Sequence, residues 1–372
     1  MSRASLDPHT MAGNEHSISM TDSGIAASSG ASGRPYAPSW LDVLMAWFEA
    51  LPGPIWAAYV VVLFGSTLLM HLLPWSQGKV PVGAPDPAAL FFGFLGPALL
   101  WITAYLERAA ASAFDASRPG LTVSAAEADR LRYALIVTPA RPALLVAAFA
   151  AVLTVGAVAS DPATYITGVP APLILGVYLL QTVDTAILFQ LLYRMVRQMN
   201  LVRRILDEAV AIDVFRPGPL NGFAVLTARP GIVISLLVGA SLPIASLPTT
   251  FEGFLLGTAP YIVLPPIIAI IAFVVPLRGA HARLVNQKDR LQDEAEGRLE
   301  AILMDLNRDV DARDMAHADG LNKTLSSLLR QRDILAKLPT WPWSTATLRG
   351  FVSAILLPMA IFLAQQALSR LF

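Results

Sequence analysis

Four side chains within one apolar stretch have the types and spacing to do chemistry together. In YLLQTVDTAILFQLLY (178–193), Tyr178, Gln181, Asp184 and Thr185 follow three- and four-residue steps, so a helix gathers them on one stripe that Leu188 continues. Gln190 adds a second amide farther along. A carboxylate near the middle of a membrane span costs about 2.5–3.5 kcal/mol on insertion scales, so Asp184 should face the interior of a helix bundle. There it can act as a proton or cation site with Gln181, Thr185 and Tyr178 beside it. The alternative is a protonated acid hydrogen-bonded across helices, a bond worth about 0.6 kcal/mol. No basic residue stands at a matching depth in any other apolar run, and both readings stay open.

Pro265-Pro266 interrupts another apolar run near its middle. Proline in a membrane helix frees carbonyls and can break the helix into an ion site, or it can simply kink it; Pro243 and Pro358 pose the same choice. In DARDMAHAD, Asp311, Asp314, His317 and Asp319 lie close together, and the i, i+3 spacing of Asp314 and His317 suits a shared metal. One histidine among acids in a turn-prone stretch reads as a solvated tip, so no metal and no cofactor is assigned. No Walker A loop, G-x-S-x-G, H-E-x-x-H or channel-filter sequence occurs, and there is no cysteine. The expectation is a protein that is not an enzyme.

The elements that position these residues follow from composition. Of 372 residues, 55% are hydrophobic and 15% charged, against about 25% charged in soluble domains. Several uncharged runs approach the ~20 residues a helix needs to cross a bilayer. The fold class is therefore all-α: a polytopic helical membrane protein with about seven transmembrane helices, whose immediate partner is the lipid bilayer. The runs are Ile55–Leu73, Ala88–Leu106, Ala143–Val158, Ala171–Tyr193, Gly231–Leu247, Ala259–Leu277 and Gly350–Leu371. Zero net charge points to no nucleic-acid partner.

Around these spans (1–4 within 55–193, 5 and 6 within 231–277, 7 at 350–371) lie the other segments. Residues 1–38, rich in Ser, Gly and Ala and without the apolar core of a signal peptide, read as a disordered tail that stays attached. Residues 39–52 read as an amphipathic helix capped by Ser39 and stopped at Pro52-Gly53-Pro54. Its apolar face is Trp40, Leu41, Val43, Leu44, Trp47, Phe48 and Leu51, with Asp42 and Glu49 opposite. It would lie at the headgroup level or pack on the bundle. At 194–230 a helical extension should give way to a Pro/Gly turn, where Pro217, Gly218 and Pro219 forbid a continuous helix. Leu220, Phe223, Val225 and Leu226 would then tuck against the inner face of the bundle or against the hairpin of residues 278–338.

Residues 278–338 carry two leucine stripes, Leu284, Leu291, Leu299, Ile302, Leu306 and then Leu321, Leu325, Leu328, Leu335, Leu338. They predict an antiparallel helical hairpin of coiled-coil character. Its surface could meet a cytoplasmic protein or make a homo-oligomer.

Arginine sets the orientation. The connections after the second, fourth and sixth spans are basic, while those after the first, third and fifth hold one lysine, Lys79, between them. The positive-inside rule then places the N-terminus and the hairpin in the cytoplasm of a bacterial cell and the C-terminus outside the inner membrane. TPARPALLVAAF (138–149) and TARPGIVISLL (227–237) both carry Ala-Arg-Pro before a span, which suggests two parallel hairpins of a repeat. Arg-Pro is also common at helix starts of this kind.

FRPGPLNGFAVLTA and LLRQRDILAKLPTWPWSTATLRGFVSAILLP resemble a family of uncharacterised bacterial multi-pass membrane proteins. Phe215, Gly218, Pro219 and Leu220 match its F-x-x-G-P-L turn, and Thr340, Trp341, Pro342 and Trp343 its T-W-P-aromatic turn before the last helix. The likeness covers roughly the C-terminal half and implies the architecture without an activity. Two functions are therefore carried forward: an interaction or signalling protein that uses the hairpin, and a small transporter or channel with the Asp184 stripe and Pro265-Pro266 lining one path.

Overall fold

The structure, a computed structural model, describes residues 35–160, 169–210, 214–215, 218–241, 259–312 and 318–371. Every extended element among them is a helix; the only β-type pairings are two isolated bridges, Pro38 with Pro139 and Leu121 with Val210. Among the described residues, seven helices are long and apolar enough to cross a membrane. They turn large apolar side chains outward, Val61, Phe64, Leu145 and Val152 among them, the reverse of a water-soluble core. The chain is a membrane-embedded helical protein.

Helix α1 (Trp40–Ala50) starts at a capping box: Ser39 Oγ accepts from the Asp42 amide, and Asp42 Oδ2 accepts from the Ser39 amide at 3.0 Å. The helix packs on α2 and α5, and its buried residues are Leu41, Met45 and Phe48. Val43 and Trp47, expected on the apolar face, are 55% and 56% exposed. Asp42, expected opposite, points into the protein. A buried cation turns the helix by roughly a residue, because an acid with a partner outweighs the orientation that hydrophobicity alone selects. The chain before α1 is fixed earlier than its composition implied: Tyr36 donates to the Val137 carbonyl and accepts from Arg197, so the tail ends before residue 36. Residues 1–34 of that tail lie outside the described residues.

Helix α2 (Ile55–Ser76) follows Pro54, and α3 (Pro87–Ser117) starts with Pro87 in its first turn and Asp86 as side-chain cap. The two lie close because small residues meet: Ser66 Oγ donates to the Gly93 carbonyl at 2.5 Å, and a Cβ on Gly93 would strike the Thr67 backbone. After a tight turn at Arg118–Gly120 comes the short helix α4 (Ala125–Ile136), capped by Ser124. Then follow α5 (Ala140–Ser160) and α6 (Ala171–Arg204), which runs on through a π-type turn at Ile205–Ala209. Helix α3 is central, touching α2, α4, α6 and α7 (Gly218–Ser241).

Helix α7 corrects the Pro/Gly turn expected up to residue 230. The helix begins at Gly218, where Pro219 occupies the first turn and needs no donor. Leu220, Phe223 and Leu226 are buried in one core with Phe114, Leu206 and Leu277 and with Ala280 and Leu284 at the root of the hairpin. Pro230 falls inside α7, whereas Pro142 is in the first turn of α5. The two Ala-Arg-Pro segments therefore occupy different positions in their helices, which removes the positional basis for reading them as a repeat.

Helix α8 (Ala259–Val274) contains Pro265 and Pro266 and continues through both. The two prolines remove only two donors from the ladder, and the helix is not interrupted there. A short tight turn, Val275–Leu277, leads straight into α9 (Arg278–Asp311), so Pro266–Asp311 makes one path of 46 residues, about 70 Å of helix. Helix α10 (Ala318–Lys337) lies against α9, and Lys288 of α9 donates to the carbonyls of Ala336 and Leu338 at 2.7 and 3.0 Å. Asp314 and His317 of the tip lie outside the described residues. Helix α11 (Thr345–Leu371) closes the chain against α7 and α8.

Candidate functional site

Asp184 lies on the buried side of α6, 5% exposed, opposite Gly96 of α3. A Cβ at Gly96 would collide with the Asp184 carboxylate, so glycine there is what lets the acid stand between the helices. The acid lines a cleft of about 260 Å³ between α3, α5 and α6. Gln181 and Thr185 line it from the same helix, Thr154 from α5, and Phe92 and Leu95 from α3.

The hydroxyls there are occupied by their own helices. Thr154 donates to Ala150 at 3.0 Å and Thr185 to Gln181 at 2.7 Å. No ion pair or hydrogen bond to Asp184 occurs among the described residues. The cleft therefore offers a carboxylate, a carboxamide and hydroxyl oxygens to a proton or a small cation. The oxygens are the right kind for a hard ion; Asp184 is the one acid among them.

Of the other residues singled out by sequence, Tyr178 is tied to the same helix through its carbonyl, which accepts from Thr182 at 2.7 Å. Pro265 and Pro266 are on α8, which does not wall this cleft. The midplane acid and the proline pair, which the transport reading joined along one path, are thus on different parts of the bundle. Gln190 is 1% exposed, lies off the cleft, and neither amide atom has a partner among the described residues.

A second polar centre was not foreseen. Arg194 of α6 is 3% exposed and donates to Asp42 Oδ1 of α1 at 2.8 Å and to Glu107 Oε1 of α3 at 2.6 Å. It also donates to the Ile136 carbonyl. Asp42 holds three further donors, the Ser39 amide, the Ser39 hydroxyl and the Thr138 amide, so its oxygens are well occupied.

Three and four residues farther along α6, Arg197 donates to the Ala134 and Val137 carbonyls, and Gln198 to Leu135 at 3.0 Å. The last carbonyls of α4 are thereby all met by side chains of one helix, two of them cationic, where the helix dipole is negative. The sequence signal was present but ambiguous, since arginines just past a span are expected for topology alone.

A third cluster joins the membrane helices to the α9–α10 pair. His281 stacks on Trp341 with ring centroids 3.8 Å apart and an interplanar angle of 5°, and its Nδ1 donates to the Thr340 carbonyl at 2.9 Å. Trp341 stacks on Trp343, Trp343 on Phe273, and Phe273 on Phe351. Five rings thus run from α9 through the connection to α8 and α11. Arg283 adds a polar tie, donating to the carbonyls of Leu206, Asp207 and Val210 past the end of α6.

No family model, no curated protein and no solved structure matches the chain.

Proposed function

We propose that this is a non-enzymatic assembly or signalling protein of the bacterial inner membrane that docks a protein partner, or a second copy of itself, through the α9–α10 hairpin. The carrying observation is an apolar face on α9 wider than α10 covers. The leucine stripes turn inward, yet Leu303 and Val310, one heptad apart, remain exposed together with Met304, as does Ile334 on α10. The arginine-rich connections support a cytoplasmic hairpin and an outside C-terminus. The ring stack from His281 to Phe351 supports transmission, because it ties the root of the hairpin to two membrane helices. A photo-cross-linker at Val310 in living cells should capture one defined species, a dimer or a single other protein. Capture of nothing from Val310, Leu303 and Ile334 alike would remove this reading.

A second reading rests on the cleft at Asp184. A solitary carboxylate with Gln181 and Thr185 on one cavity supports a proton- or cation-coupled transporter or channel. Proteoliposomes with a pH- or sodium-sensitive dye inside should show flux that Asp184→Asn abolishes. Equal flux with and without the protein would reject it.

A further inference from the structure

On the far side of α3 from Asp184, helices α2, α3 and α7 enclose a groove of about 650 Å³. Its walls are apolar almost throughout, with Leu63, Phe94, Trp101, Ile232 and Leu236 among them. One end is different. Arg229 of α7 stands there with its guanidinium 5.1 Å from the Tyr105 ring centroid, and no ion pair or hydrogen bond meets that guanidinium among the described residues. Tyr59 of α2 lines the same groove, and its buried hydroxyl has no partner among the described residues either.

Depth places this end at a membrane boundary. Tyr105 is the last aromatic of α3 before Glu107 and Arg108, and Arg108 turns its Nε back to the Ala104 carbonyl. The turns of α7 before Arg229 run alongside α3 beyond those charges, with Gly222 against Ala113 and Ser117. From Arg229 to Ala240 the groove follows α7 for about 16 Å, close to half of the ~30 Å hydrocarbon core. An uncompensated cation and an unsatisfied hydroxyl thus crown an apolar trough one leaflet deep.

We propose that the groove binds one anionic phospholipid of that leaflet, an acyl chain lying along α7 and the headgroup phosphate accepting from Arg229 and Tyr59. The chemistry is a charge-assisted contact at the boundary combined with burial of apolar surface below it. Tyr105 holds the guanidinium over its ring at this end of the groove. The site is independent of what the hairpin docks and of the cleft at Asp184.

The test is native mass spectrometry of the delipidated full chain in detergent, titrated with phosphatidylglycerol or with phosphatidylcholine of the same acyl chains. One phosphatidylglycerol should bind saturably, and more tightly than phosphatidylcholine. Arg229→Gln should weaken it about tenfold, Arg229→Lys should largely preserve it, and Leu236→Trp, which fills the trough, should weaken both lipids. Circular dichroism melts keep misfolding apart from lost binding; should Arg229→Gln fail to fold, Leu236→Trp against Arg229→Lys carries the comparison. Equal binding of the two lipids by the wild-type chain, or binding untouched by filling the groove, overturns the proposal.

Discussion

Arg194 and Asp42, 152 positions apart in sequence, meet at 2.8 Å and are both nearly sealed from solvent. Glu107 completes the triad from a third helix. Burying ions is costly, and removing one partner leaves the others unpaired, so a buried pair is hard to break even where it adds little net stability. Arg194→Met should destabilise the protein by about 3–5 kcal/mol, seen as a lowered midpoint in denaturant titration in detergent. A double-mutant cycle on Asp42→Asn and Arg194→Gln should give a coupling of about 0.5–3 kcal/mol. Additive losses would mean that the two act separately.

Gly96 and Asp184 form a size-matched pair. Gly96→Ala drives a methyl into the carboxylate, and overpacking of this kind costs about 1–3 kcal/mol. Asp184→Ala in the Gly96→Ala background should recover most of that loss in a thermal melt. A Gly96→Ala protein as stable as wild type would show that α3 and α6 do not meet closely at this pair.

Trp341 sits between His281 and Trp343 in the ring stack. Each aromatic pair contributes about 0.5–1.5 kcal/mol beyond area burial, so Trp341→Leu, which removes two pairs, should loosen the root of the hairpin. Hydrogen–deuterium exchange should rise in the first turns of α9 and the last turn of α10, and stay unchanged in α2 and α3. A uniform rise through the protein would point to global destabilisation instead.

Tyr36 supplies a pH dependence. Burial raises its phenol above the ordinary 10.0, with Arg197 pulling the other way. The folded state thus holds this proton more tightly than the unfolded chain does. Its contribution is complete below pH 10 and is lost as pH rises through the folded value. Tyr36→Phe should lower stability at neutral pH by about 0.5–1.5 kcal/mol, through the bonds to Val137 and Arg197, and should flatten the alkaline decline. A steeper decline in the variant would reverse the assignment.

How much of this could be read from the sequence depends on the range of the interaction. The apolar runs are local, and each of the seven candidate helices among the described residues overlaps one of them. The Ser39 cap was also local: a serine, then an acid three residues on. The face of α1 was misread because hydrophobicity placed Asp42 outside, and nothing near it in the chain announces Arg194 or Thr138. The start of α7 was misread because Pro217-Gly218-Pro219 marks a break equally well before a helix or in place of one. At the candidate site the stripe through Gln181, Asp184 and Thr185 was visible, since it lies on one helix. Its setting, with Gly96 opposite and Thr154 on a neighbouring helix, is tertiary and left no trace in spacing.

Helix α6 carries Asp184 in its middle and, farther along, the three side chains that grip the end of α4. Turning this helix about its axis would tear away those carbonyl contacts together with both carboxylates on Arg194. It behaves as a fixed axle. Widening of the space beside Asp184 is then left to the outer wall, α5, which among the described residues is hydrogen-bonded to the segment before α1 at its first turn, where the Ala140 amide donates to the Ala37 carbonyl. A swinging door hinged at that turn, against a post that does not rotate, is the movement this arrangement permits.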